Sequence, residues 1–228
     1  GILIGGRLDK HNMVDNVIFS PRANLRFNPT QNINLRLSYS SGFRAPQAFD
    51  EDMHIENVGG TVAMIERAKD LKEEKSQSFS ASADMYHRFG AFQTNLLIEG
   101  FYTRLTDVFV LGKPYDRGDG ILVKTRSNGP GAKVMGLTLE GKVAYLSILQ
   151  IQAGLTLQRS RYDEPHKWHD DAPAEKKIFR TPDTYGYFTA TCTPIKPLSI
   201  ALSGTYTGRM LVQRMDITAE NAELGEMP

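Results

Sequence analysis

Cysteine is almost absent: Cys192 is the only one among 228 residues. A lone thiol excludes an intramolecular disulfide framework and says little about compartment. No apolar run of about 18 residues occurs, which excludes a transmembrane helix. It does not exclude a closed barrel, whose tilted strands cross a bilayer in about 9–11 residues. An excess of one charge is lacking too. Lys and Arg number 27 against 26 Asp and Glu, so nothing global points to nucleic acid. The apolar start Gly1-Ile-Leu-Ile-Gly-Gly6 is too short for a signal peptide and has no basic lead. Catalytic signatures are missing as well: no GxSxG, no P-loop and no dinucleotide fingerprint. His11 and His87 stand near turns without an evident acid–base partner. The sequence offers no positive case for an enzyme or a resident cofactor.

What the chain does have is alternation. Around a turn at Asn28-Pro-Thr-Gln-Asn32, two segments are apolar at every second residue. Ala23, Leu25 and Phe27 oppose Arg22, Asn24 and Arg26. Ile33, Leu35, Leu37 and Tyr39 oppose Asn34, Arg36 and Ser38. Side chains of a strand alternate between its two faces, so this stretch reads as an antiparallel pair with one oily and one wet side. The same pattern places strands at about 17–28, 32–42, 78–86, 121–127, 137–145, 151–158, 183–193 and 197–212. A longer one starts at Phe92 and runs on to Leu111. Residues 221–228 are polar and read as having no strand character.

Connection lengths also alternate. Asn28–Asn32, Arg88–Ala91, Leu146–Leu149 and Pro194–Pro197 are short; Phe43–Lys75, Leu111–Gly120 and Tyr162–Arg180 are long. Short turns at one end and long loops at the other are the rule for up-and-down outer-membrane barrels. A Greek-key sandwich has no reason to keep that order. The expected fold is all-β: antiparallel up-and-down strands of a transmembrane β-barrel, roughly nine or ten strands of a larger one. Both termini read as cut, so residues 1–228 are expected to be a barrel fragment lacking a plug domain and terminal strands.

The charges on the wet faces are Arg22, Arg26, Arg36, Glu99, Glu140 and Lys142. An Arg or Lys facing hydrocarbon at the bilayer midplane costs about 2–4 kcal/mol, so these six must meet water or protein. They line either a solvated wall or a surface that contacts a plug. Asp50, Glu51, Asp52, His54 and Glu56 form an acidic cluster without the spacing or glycine of a calcium loop. Asp163, Glu164, His166, His169, Asp170 and Asp171 form a second cluster, without a zinc motif. Both read as solvated polar loops, with no metal assigned. Tyr162 and Trp168, beside the second cluster, suit either ligand contact or an aromatic girdle at the membrane edge.

Leu35-Arg-Leu-Ser-Tyr-Ser-Ser-Gly-Phe-Arg-Ala-Pro46, with Ser20-Pro-Arg22 and Asn28-Pro-Thr30 before it, resembles the barrel of TonB-dependent outer-membrane receptors. Glu99-Gly-Phe-Tyr-Thr-Arg-Leu-Thr-Asp-Val108, Gly131-Ala-Lys-Val-Met-Gly-Leu-Thr-Leu-Glu-Gly141 and Phe179-Arg-Thr-Pro182 are similar to further segments of that family, in wording close to Bacteroides-type receptors. The resemblance implies a 22-stranded barrel in the outer membrane, occluded by an N-terminal plug and driven by the TonB complex. Its lipid-facing side would meet outer-membrane lipid, and its cargo would be a scarce nutrient such as a ferric siderophore, haem or cobalamin. Loops on a rigid scaffold carry recognition, so Phe43, Arg44, Asp50, Asp52, His54, Tyr162 and Trp168 are the candidate ligand contacts. Two rival readings remain: a soluble β-sandwich binding or adhesion module, and a passive porin.

Overall fold

The computed structural model describes residues 1–14, 16–46, 63–112, 115–118, 122–167, 173–215 and 222–227. Its strands are Ile2–Asp9 (β1), Ile18–Thr30 (β2), Ile33–Arg44 (β3), Ala63–Arg67 (β4), Glu74–Phe89 (β5), Phe92–Thr106 (β6), Phe109–Leu111 (β7) and Tyr115–Asp116 (β8). They continue with Leu122–Asn128 (β9), Ala132–Tyr145 (β10), Leu149–His166 (β11), Glu175–Lys177 (β12), Thr184–Ile195 (β13), Leu198–Thr207 (β14), Met210–Met215 (β15) and Ala222–Met227 (β16). Nine of these form one meander in the order β1-β2-β3-β5-β6-β10-β11-β13-β14, with β12 added beside β11. Every neighbouring pair in it is antiparallel.

The register gathers the alternating oily side chains on one face, while Leu97 and Phe101 of β6, opposite Asp84 and Ser80, fall on the other. Tyr39, Phe79, Tyr102 and Met135 lie opposite one another across four strands, as do Leu37, Ala81, Gly100, Leu137 and Leu157. A slip of one residue would turn each of these side chains onto the polar face. Among the described residues no second layer covers them. Leu137 is 41% exposed, Leu155 42% and Leu202 62%, and among the described residues the buried hydrophobics are only Val14, Ile18, Val123 and Ala132. A sandwich would bury these faces against each other, so the soluble two-sheet alternative fails.

Two aromatic rows bound this face. At the short-turn end Phe92 stacks on Phe89, with ring centroids 5.4 Å apart, and lies 4.9 Å from Tyr145. At the long-loop end Tyr39 and Phe79 are 4.8 Å apart, with Tyr102 in register beside them. From Phe92 to Tyr102 the chain rises about 33 Å at about 3.3 Å per residue. Strands tilted about 40° would make this a band about 25 Å tall, the height of the apolar belt of an outer-membrane barrel. Between the rows the face carries Leu96, Ile98, Leu137, Leu139, Ile151 and Leu155, and on these strands no formal charge. Cys192, opposite Ile200 and Leu149, falls on the same face.

Several expected boundaries move. The strand from Phe92 ends at Thr106 rather than Leu111, because Asp107 takes a left-handed conformation (φ 55°) and redirects the chain. Asp is one of the few residues that adopt this backbone readily. Phe109–Leu111 then joins a separate sheet. Phe43 and Arg44 end a strand instead of opening a loop, since their partners Lys75 and Glu74 already belong to β5. Tyr162 likewise lies within β11, paired with Ala132. The strand expected over 197–212 breaks after Thr207, where the Gly208 N–H donates to the Thr184 carbonyl (2.7 Å). Residues 222–227, expected to be irregular, pair with β15. Their charged sequence hides a strand that exists only through its partner.

Candidate ligand-facing end and lumenal wall

The long connections all leave the same end of the meander, and two of them are sewn together there. Strand β4, from the β3–β5 connection, runs parallel to β9 of the β6–β10 connection, while β7 and β8 pair antiparallel with β9. Val123 and Arg126 of β9 are almost fully buried. The side chain of Asn128 fastens the base of this small sheet. Its Oδ1 accepts from the Lys72 N–H (2.8 Å), and its Nδ2 donates to the carbonyls of Lys72 (3.0 Å) and Asp107 (2.8 Å). The Gly129 N–H donates to the Val108 carbonyl (2.7 Å). A Cβ on Gly129 would lie 2.5 Å from a Val110 methyl, so glycine permits the approach. The central strand of this loop platform, β9, matches the strand expected at 121–127, whereas β4, β7 and β8 are ordered around it by backbone pairing rather than by apolar content and do not stand out as strand patterns.

Two of the candidate ligand contacts converge beneath this platform on a residue not singled out from the sequence, Glu74. Arg44 is opposite Glu74 in register and its guanidinium lies 5.7 Å from the Phe109 ring centroid. The Glu74 carboxylate accepts the Phe109 N–H (3.0 Å). Tyr162 feels the same charge: burial first, and then the charge of Glu74, raise its phenol above the usual value. Its ring is 5.7 Å from that of His166, whose burial lowers the imidazole below its ordinary pKa. Phe43 stands apart, under the Arg7 guanidinium at 5.9 Å. Asp50, Asp52, His54 and Trp168 lie outside the described residues, with the rest of the first acidic cluster and His169, Asp170 and Asp171 of the second. Of that second cluster, Asp163 is committed to Arg104 (2.6 Å), whose hydrogen bond holds its carboxyl below the normal range.

The six charges expected on the wet side do share one face. Arg22 is opposite Ser40, Arg26 opposite Arg36, Glu99 opposite Ser82 and Thr138, and Lys142 opposite Asn95 and Gln152. Like charges directly opposite are unfavourable, and Arg26 is held instead by the amide oxygens of Asn28 (3.1 Å) and Asn34 (3.0 Å). Asp84 nearby accepts from Tyr86 (2.8 Å) and Asn95. Glu140 sits in a closed triangle: Gln152 donates to it (2.9 Å) and to the Tyr187 hydroxyl (2.8 Å), which donates back to the carboxylate. The Tyr187 ring lies over Gly154, where a Cβ would come within 2.6 Å of it. A glycine standing where the alternation asks for a polar residue is the one sequence signal that points to this aromatic.

A polar wall, an apolar face edged by aromatic rows, and loops gathered at one end define a segment of a transmembrane β-barrel. The family described as TonB dependent receptor-like, beta-barrel, matches residues 2–214. The chain belongs to the TonB-dependent receptors, a class of outer-membrane receptors and transporters rather than enzymes. Among solved structures it is similar to the siderophore receptor PirA from Pseudomonas aeruginosa, with TM-score 0.65 and 18% identity over 90% of this chain and 37% of that one. A variant of the ferric enterobactin receptor PfeA of the same organism, in complex with enterobactin, gives TM-score 0.63 and 18% identity over 92% of this chain and 30% of that one. The FrpB iron transporter from Neisseria meningitidis gives 0.57 and 15% over 86% and 28%. The chain therefore spans about a third of the length of these receptors. No curated protein sequence matches it.

Proposed function

We propose that this chain is part of the barrel of an outer-membrane receptor that imports a ferric siderophore or a comparable scarce nutrient, powered through TonB. The single observation that carries the reading is the loop sheet of β4, β7, β8 and β9 standing over Arg44, Glu74 and Tyr162 at one end of a girdled barrel wall. Recognition falls to that end, where a rigid wall positions loop residues around a polar and aromatic floor. Asp50, Asp52 and His54, in the β3–β5 connection, and Trp168, between β11 and β12, are proposed to complete the contact surface. Arg22, Arg26, Arg36, Glu99, Glu140 and Lys142 are proposed to face a plug domain supplied by sequence outside these residues. Import then works by differential binding: ligand favours a closed loop arrangement and a remodelled plug, and TonB acts on the latter.

The test uses the full-length receptor in detergent, titrated with ferric enterobactin, haem and cobalamin, beside uptake in cells with and without TonB. Saturable binding of one ligand, weakened in an Arg44→Ala, Tyr162→Ala double variant, together with TonB-dependent uptake, is the expected result. A steady ligand-independent conductance in planar bilayers, with no binding, would replace importer by passive pore.

A further inference from the structure

On the lipid-facing side, one row beyond the aromatic girdle, four cations stand in register on consecutive strands. Arg104 of β6 is opposite Lys133 of β10, Lys133 opposite Arg161 of β11, and Arg161 opposite Lys177 of β12. Arg159 joins them from the girdle row itself, opposite Met135. Neighbouring strands are about 4.8 Å apart, so the row extends about 14 Å. Like charges placed directly opposite destabilise a sheet, and among the described residues the carboxylates bonded to this row are too few to cancel it. Asp163 bonds Arg104 (2.6 Å), reaching across Gly131, where a Cβ would lie 2.7 Å from the carboxylate. Asp183 serves both Lys177 (2.8 Å) and Arg161 (3.8 Å). Among the described residues neither Lys133 nor Arg159 has a hydrogen-bonded acid partner.

We propose that this row is a docking site for the phosphate of an anionic membrane lipid, whose chains lie on the apolar face below. The inference rests on the barrel reading. Two features of the row select a lipid over a free anion. Its cations project from the face occupied by Tyr102, Met135, Leu137 and Leu157, not from the polar wall. It also begins where the uncharged belt ends, at the depth of a headgroup. Asp163 acts on Lys133 as well as on Arg104, so one carboxylate is divided between two cations. A bound phosphate adds the negative charge that this sharing leaves short at Lys133 and Arg159 and relieves the repulsion along the row.

The experiment takes the full-length receptor in an uncharged detergent and counts bound lipid by native mass spectrometry. Phosphatidylglycerol is the probe and net-neutral phosphatidylcholine the comparison. The unmodified receptor is expected to retain phosphatidylglycerol preferentially, less so as salt rises, and millimolar inorganic phosphate should not displace it. A basic residue near an anionic surface contributes roughly fivefold. Lys133→Gln with Arg159→Gln should therefore lower the preference roughly 25-fold, while Lys133→Arg with Arg159→Lys, and Lys196→Gln at the opposite end, should leave it. Equal retention of the two lipids by the unmodified receptor, full preference in the double Gln variant, or displacement by inorganic phosphate would overturn the proposal. If instead the receptor stays in solution without detergent and retains neither lipid, the barrel reading itself has failed. Where the double Gln variant does not fold, Lys133→Gln and Arg159→Gln taken singly should each lower the preference roughly fivefold, and full preference in both overturns the proposal.

Discussion

At the scale of single residues, the glycines of the wall differ sharply in what they tolerate. Gly136 sits where a Cβ would lie 2.5 Å from the Leu157 carbonyl oxygen and 2.6 Å from the Phe101 ring. The backbone contact cannot yield without parting two strands. Gly141, five residues along the same strand, has nothing within 4 Å of that position. Gly136→Ala is expected to cost about 1–3 kcal/mol through overpacking, and Gly141→Ala no more than about 0.5 kcal/mol. Urea unfolding of the two variants in lipid vesicles measures the difference; equal midpoints would show that the close approach at Gly136 is not maintained. The alternation in the sequence puts Gly136 on the polar face and Gly141 on the oily one, but it does not say which of them is crowded. What separates them is which side chain of the next strand leans over the gap, and that depends on register.

At the scale of elements, the loop sheet should be separable from the wall. Asn128 makes three hydrogen bonds to the backbone, two to Lys72, 56 residues away in the β3–β5 connection, and one to Asp107 of its own connection. Asn128→Ala leaves those groups to find water, at about 1–3 kcal/mol of local stability. Hydrogen exchange at the Lys72 amide is then expected to accelerate roughly ten- to a hundredfold. Exchange at Leu137, bonded within the meander, should not change. Acceleration at both sites would show one cooperative unit instead of two. The alternation of residues 33–39, 79–85 and 92–102 announced the wall strands directly, because a strand that is oily on one side and wet on the other must write period two into its sequence. The strands β4, β7, β8 and β16 carry no such period. Their pairing is local hydrogen bonding between segments distant in the chain, so no window of sequence contains the reason for them.

For the molecule as a whole, the decisive quantity is the free energy of the apolar band in lipid. Leu139, opposite Ile98 and Leu155, lies near the middle of that band. Leu139→Arg is expected to destabilise the folded receptor in bilayers by about 2–4 kcal/mol, the cost of a midplane arginine. Thr138→Arg, on the polar face one residue away, should cost far less. Folding equilibria in vesicles report both. Similar costs for the two variants would mean that the faces do not see different solvents.

By itself the sequence determined the strand period, the alternation of short and long connections, and which side chains share a face. Each of these is a local consequence of a backbone whose neighbouring residues point opposite ways. The tertiary structure alone decided that the oily faces stay uncovered and edged by aromatic rows, that Glu74 gathers Arg44 and Tyr162, and that Arg104, Lys133, Arg161 and Lys177 line up. Those facts depend on register between strands distant in sequence, which hydrogen-bond pairing across the sheet sets.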